Sequence, residues 1–336
     1  MSGTAAPPKP AKPASPITER ATAFVAERRD RAETLGRGLA EHVHDPAAYV
    51  RAVDDALRQL ADPVYLEGSH GVVPTLGPTH GVRWPLLAAI LRGFKAETRR
   101  ERPSTLLDLA TALLAEPMVE AHWIAFGLLD RTVRIEPERS WQQLRRAAAQ
   151  ASDWATVDAL AHPFGRGILA EPYRWAELEQ LVFSPSRWER RLVGSTIATI
   201  PHVERGPGRE PIVVERGLEL LGQLIGDAEP DVRKALSWAY RTLAQLDLPA
   251  TVEQLRREAA QAAATDDGHR AWVVRDSLSK LPAPVAQELK DRLGTIRSRR
   301  DQPSTSVAAA TAAGFLGAGL ESLDTGPADR PIIIRP

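Results

Sequence analysis

The sequence predicts an all-α fold, an α-α superhelical solenoid, on three observations. Most of residues 17–300 reads as amphipathic helix, cut by short Pro, Gly or Asp punctuation. Val, Ile and Thr form no series of alternating strands. Prolines recur where helices begin, at Pro46, Pro103, Pro137, Pro172, Pro185, Pro230, Pro249 and Pro284, because a first-turn N–H has no helical partner to lose.

In chain order, residues 1–16, "MSGTAAPPKPAKPASP", lack the apolar run of a signal peptide and read as a disordered, weakly basic tail. A single helical repeat domain is expected over 17–300. Within it, residues 63–83, "PVYLEGSHGVVPTLGPTHGVR", are rich enough in Gly and Pro to predict a long loop after the first helix pair. Two later stretches, "SPSRWERRLVGSTIATI" (184–200) and "EPDVRKALSWAYRTLAQ" (229–245), each open on a proline, then a basic pair, then an apolar stripe. "DDGHRAWVVRDSLSKLP" (266–282) is a weaker echo. Such a unit resembles the second helix of a HEAT-type repeat, whose period is ~40 to 47 residues, and by analogy about six or seven helix pairs are expected. "PHVERGPGREP" (201–211) is expected to be an irregular insertion, and 301–336, which closes on "RPIIIRP", a loosely ordered tail.

Composition narrows the function. With 43% hydrophobic and 26% charged residues the chain reads as soluble and globular. Lys plus Arg and Asp plus Glu are equal at 43 each, so any basic surface has to be local. The absence of cysteine excludes disulfides and thiolate metal sites. No apolar run reaches the ~20 residues of a membrane helix, and a cytoplasmic protein without a membrane partner is expected. No coiled-coil heptads are present, so a monomer is expected. His42, His44, His70 and His80 have no third ligand at a convincing spacing, and no zinc site is expected. Phosphate-binding loops, dinucleotide fingerprints and nucleophile elbows are missing, so the chemistries they serve are not supported.

The residues that stand out are few. In "SDWATVDALAHPFGRGIL" (152–169), Trp154 and Asp158 are four apart and share one helix face. "RWERR" supplies Arg190 and Arg191, and "RKALSWAYR" places Trp238 one turn beyond Lys234. A solenoid curves, and its concave face gathers residues from successive repeats, so these side chains can converge. Singly, a tryptophan is more often core and an aspartate more often solvated.

"DWATVD", "WERRLV" and "VRKALSWAYR", in that order, resemble the AlkD-like DNA alkylation repair glycosylases, which are HEAT-like helical repeat proteins. "EAHWIAFGLLDR" (120–131) and "GVRWPLLAAI" (81–90) are similar to helices earlier in that family, and the resemblance covers roughly 45–285. It implies an enzyme that excises cationic N3- and N7-alkylated purines from duplex DNA, without metal or cofactor. It implies that Trp154, Asp158 and Trp238 are catalytic. It places a phosphate-neutralising arginine at Arg191, which directly precedes the apolar stripe, or at Arg190 one residue earlier. It also implies recognition from the backbone side of the DNA, where glycosylases in general extrude the base into a pocket.

The chemistry agrees with those residue types. A purine alkylated at N3 or N7 is already cationic and needs no general acid to leave. Positive charge growing on the deoxyribose calls for an ionised carboxylate, and indole faces hold a cationic sugar. Lys234 and Arg241, with the basic residues of "KDRLGTIRSRR" (290–300), form a candidate phosphate-tracking stripe. Two other readings stay open on the residues alone: a non-catalytic repeat protein that binds DNA structure, and a protein-interaction scaffold.

Overall fold

In a computed structural model of the chain, the residues described are 15–311, and every regular element among them is helical. The chain divides into two compact units, residues up to Leu128 and residues from Leu129 on, where the sequence reading takes 17–300 as a single domain.

The first unit holds α1 (Pro16–Gly38), α2 (Pro46–Leu60), α3 (Pro63–Val72), α4 (Trp84–Glu97), α5 (Pro103–Leu114) and most of α6 (Val119–Thr132). α1 lies along α4, and α2 packs against α5, over a core that includes Val53, Leu57, Leu86, Ile90 and Leu107. The expected long loop at 63–83 is half wrong, because its first ten residues are α3. The reason is a strong cap. Asp62 is fully buried and accepts hydrogen bonds from the Val64 and Tyr65 amides at 3.1 and 3.3 Å and from Arg83 at 2.8 Å. Capping of that kind, with Pro63 at N1, offsets the ~1 kcal/mol that each helical glycine costs. The remaining segment is irregular but ordered on buried Glu120, which accepts from the Gly81 and Val82 amides at 2.9 and 3.1 Å.

The second unit holds α7 (Pro137–Gln150), α8 (Trp154–Ala170), α9 (Arg174–Gln180), α10 (Arg187–Val203), α11 (Pro211–Leu224), α12 (Pro230–Leu243), α13 (Leu248–Thr265), α14 (Gly268–Ser277) and α15 (Ala283–Leu293). α8, α10, α12 and α14 lie side by side in one layer, while α7, α11 and α13 cover one side of it. The layer is parallel: early turns meet early turns, as at Asp158–Arg191 and Arg233–His269, and late turns meet late ones, as at Arg166–Glu204 and Arg241–Asp276. This alternation of helix pairs is what the repeated segments predict.

Two boundaries differ from expectation. α10 runs through Pro201 to Val203, so the irregular insertion shrinks to 204–210. Its end is sealed by Arg209, which donates to the Pro201 carbonyl at 3.3 Å, and by the Gly208 amide, which donates to Glu204 at 3.0 Å. Residues 301–311 are tied down rather than loose: the Thr305 amide donates to the Gly226 carbonyl at 3.0 Å, and Ser306 and Ala308 are buried. The expected N-terminal tail and the "RPIIIRP" end lie outside the described residues. Among the described residues no helix is long and apolar enough to cross a membrane.

Candidate functional site

α8 begins where Asp153, itself buried, accepts a hydrogen bond from the Thr156 amide at 2.8 Å. This cap makes Trp154 the first helical residue. Val157, Leu160, Ala161 and Phe164 take the core face of α8, so by helical geometry Trp154 and Asp158 fall on the side of the layer away from α7. Both are half-buried. On α12 the core takes Val232, Leu236, Tyr240 and Leu243, which leaves Asp231, Lys234 and Trp238 on the same free side. α10 is the floor between them, where Gly194, Ser195 and Ala198 are all buried. Gly194 is required there: a Cβ would stand 2.9 Å from the Ala235 backbone carbon, and α12 could not approach as it does.

Arg191 of α10 reaches across to Asp158 with two hydrogen bonds, Nε to Oδ1 at 3.1 Å and Nη2 to Oδ2 at 2.7 Å. Its third nitrogen, Nη1, donates to the Asp231 carbonyl of α12 at 2.7 Å. Ser195, one turn along α10, donates to Asp158 Oδ1 at 2.6 Å. The guanidinium carbon lies 5.8 Å from the centroid of the Trp154 ring. The Asp158 side chain keeps 22% of its surface exposed and that of Arg191 only 6%. The carboxylate is therefore gripped from the α10 side and open on the other. Oδ1 already accepts two hydrogen bonds and Oδ2 one, so Oδ2 retains a lone pair for a further donor.

Three of the sequence-predicted residues, Trp154, Asp158 and Arg191, are thus brought together. Trp238 is half-buried on α12, seven residues beyond the Asp231 carbonyl that Arg191 holds, or ~10 Å of helix rise. The cations expected on phosphates divide. All three guanidinium nitrogens of Arg191 are hydrogen-bonded within the protein, to Asp158 and to the Asp231 carbonyl. Arg190 is committed too, donating to Asp227 at 2.7 Å and to the carbonyls of Ser184 and Pro185. Arg241 donates to the Asp276 carboxylate at 2.6 Å and its backbone carbonyl at 2.9 Å. Lys234 extends into solvent with 62% of its side chain exposed and Asp231 3.9 Å away.

Sequence reasoning missed Ser195, although its place four residues after Arg191 put it on the same face. It also missed a polar group one turn beyond Asp158. His162 Nδ1 and Arg166 Nε lie 3.0 and 2.7 Å from Asp130 Oδ1, and Arg166 also donates to Glu204 at 3.1 Å. Burial pushes the Asp130 carboxyl up, but its hydrogen bonds to His162 and Arg166 and their charges outweigh this and hold it below its ordinary value. Trp154, Asp158, His162 and Arg166 recur at every fourth residue of α8, a stripe visible in the sequence. Among the described residues no group of three or more His, Asp or Glu side chains is placed to hold a metal ion.

A family model described as DNA alkylation repair enzyme matches residues 53–279, a span that contains Trp154, Asp158, Arg191, Ser195 and Trp238. No curated protein shows significant similarity to the chain.

Proposed function

This chain belongs to the DNA alkylation repair enzyme family, and from that premise we propose that it is a DNA glycosylase for cationic N3- and N7-alkylated purines in duplex DNA. One observation carries the reading: a carboxylate, Asp158, is gripped on one side by Arg191 and Ser195 and left open on the other, beside an indole face.

The reaction needs little else. The N-glycosidic bond breaks with its electron pair going to the purine, which leaves as a neutral base because it began as a cation. Positive charge then develops across C1′ and the ring oxygen of the deoxyribose. The open oxygen of Asp158 stabilises that charge and orients a water, whose oxygen bonds to C1′ and whose proton is lost to solvent. A preorganised polar group in such a role is worth ~3 to 4 kcal/mol of barrier. Arg191 and Ser195 act as positioning residues: they hold the carboxylate in one geometry, so no reorganisation is needed as charge appears. The faces of Trp154 and Trp238 add ~0.5 to 2 kcal/mol each against a cationic sugar.

The test is release of 7-methylguanine and 3-methyladenine from methylated duplex DNA by wild type and by Asp158→Asn. Release by wild type and its loss in the variant support the reading. A wild type that binds the duplex and frees neither base would instead be a DNA-structure binder.

A further inference from the structure

The segment that follows α15 is basic. It carries Arg297, Arg299 and Arg300 against Asp301, just after Lys290 and Arg292 in the last turn of α15, and it lies beyond the family match, which ends at 279. A charge run of this kind is usually a solvated tail. Here it is built into the fold.

Its backbone is fixed from beneath by α14 and α12. Arg275 donates to the carbonyls of Leu293, Gly294 and Ile296 at 3.1, 2.9 and 2.6 Å. The Ser298 hydroxyl lies 2.8 Å from His269 Nδ1 and also accepts from Arg233. His269 Nε2 reaches the Gln302 carbonyl at 2.8 Å, and Gln302 Nε2 donates to the Asp266 carbonyl at 3.0 Å. Farther on, Thr305 bonds to Gly226 and to Asp267. Two glycines make room. A Cβ on Gly268 would collide with the Arg297 carbonyl, and one on Gly226 with the Thr305 hydroxyl. The segment therefore crosses the start of α14 and reaches the turn before α12, leaving the side chains of Arg297, Arg299 and Arg300 exposed.

Its place on the layer matters. Because the four helices are parallel, their starts share one edge. That edge carries Trp154 on α8, Arg187 on α10 with Glu229 3.4 Å away, and Lys234 on α12 with Asp231 3.9 Å away, and the segment runs along it from α14 to the turn before α12. Cations over helix N-termini oppose the helix dipole. Arg299 has the exposed Asp266 carboxylate 3.5 Å away, and Arg297 donates to the Gly294 and Ile296 carbonyls. These contacts at the surface leave both guanidinium groups accessible to a phosphate. Arg233 beneath them is buried, and its Nε has no hydrogen-bond partner among the described residues. Fixing a chain segment costs ~1 to 2 kcal/mol per residue in backbone entropy, which is recovered if the fixed charges meet anions at a fixed spacing.

We infer that Gly294–Ser306 is a strap that holds Arg297, Arg299 and Arg300 on the edge that also carries Lys234, as a phosphate-binding extension for duplex DNA, which takes the DNA substrate of the proposed function as given. It supplies the local basic surface that a chain of zero net charge requires.

The test uses the full chain and an unmodified fluorescent duplex of about 20 base pairs, on which no glycosidic bond breaks, so the readout is independent of base release. The triple variant Arg297→Glu, Arg299→Glu, Arg300→Glu is compared with wild type over a salt series. Losing three phosphate contacts lowers the slope of log affinity against log salt by about 2.7, with affinity at low salt down roughly 10- to 100-fold. Gly268→Val, which dislodges the strap without touching a charge, is expected to lose affinity as well. Equal affinity and slope in the triple variant would overturn the strap, and so would a wild type that binds no duplex at low salt. If that variant instead loses only binding to anionic lipid vesicles, the surface serves a membrane and the inference fails. Should wild type bind duplex without freeing methylated bases while the triple variant binds poorly, the strap stands and the glycosylase reading falls.

Discussion

Asp158 and Arg191 are joined across the α8–α10 seam by a forked pair of hydrogen bonds, at 3.1 and 2.7 Å, with the arginine nearly enclosed and the carboxylate open. Charge-assisted, bidentate pairs of this kind are among the stronger polar contacts in proteins. The fork also gives the two residues separate, measurable roles.

Asp158→Asn keeps the size of the side chain and loses its charge. Base release from methylated duplex is expected to fall ~100-fold or more, with unchanged far-UV circular dichroism. Arg191→Lys keeps the charge and loses the fork. If Arg191 positions the carboxylate, the variant loses turnover while its salt-dependent duplex affinity stays within about twofold. A weakened affinity with intact turnover would return Arg191 to a phosphate. Arg191→Ala is expected to destabilise the fold by roughly 3 to 5 kcal/mol, because it strands Asp158 in a partly buried place, so the lysine variant is the cleaner probe.

Trp154 and Trp238 are half-buried, so their replacement by leucine should cost little stability. Their expected contribution to the cationic sugar corresponds to a drop of about 2- to 30-fold in the rate of base release for each variant. Single-turnover assays on methylated duplex measure it. A loss of thermal stability in step with the loss of rate would mark them as packing residues instead.

Gly194 sets the spacing of the floor helix. Gly194→Val pushes α10 from α12 and is expected to cost ~1 to 3 kcal/mol by overpacking. It also draws Arg191 away from the Asp231 carbonyl. Urea unfolding reports the first effect, and base release under native conditions the second.

Asp62 contributes to the acid response of the first unit. Burial pushes its carboxyl up, but hydrogen bonds from Arg83 and from the Tyr65 and Val64 amides, with the charge of Arg83, hold it below its ordinary 3.8. A carboxyl with a lowered folded-state pKa binds fewer protons than in the unfolded chain. Its stabilising contribution is therefore complete above the unfolded value and fades as pH falls through the folded one. Asp62→Ala removes the cap and strands Arg83, at roughly 2 to 4 kcal/mol near neutral pH. The gap between variant and wild type in urea midpoint should narrow below about pH 4. A gap that stays constant down to pH 2 would show that the charge of Asp62 contributes nothing.

What the sequence determined by itself is local. Apolar residues recurring every three or four positions specify helices, prolines mark their first turns, and spacing alone puts Trp154 beside Asp158 and Arg191 beside Ser195. These follow from the helical repeat and need no knowledge of neighbours. Even so, α3 escaped, because its glycines outweigh its apolar pattern until the burial of Asp62 as a cap is known.

Only the tertiary structure decided the partners. Arg191 and Asp158 are 33 residues apart, and whether a guanidinium meets that carboxylate or a phosphate depends on the register and separation of α8, α10 and α12. Small residues such as Gly194 set that separation, and no periodicity encodes it. The same holds for Arg190, which reads as a surface cation until Asp227 is placed against it. It holds for the basic run after α15, which becomes a strap only where Gly226 and Gly268 leave room for its backbone. Helix formation is a property of neighbours four residues apart, whereas an ion pair between helices depends on how whole helices pack.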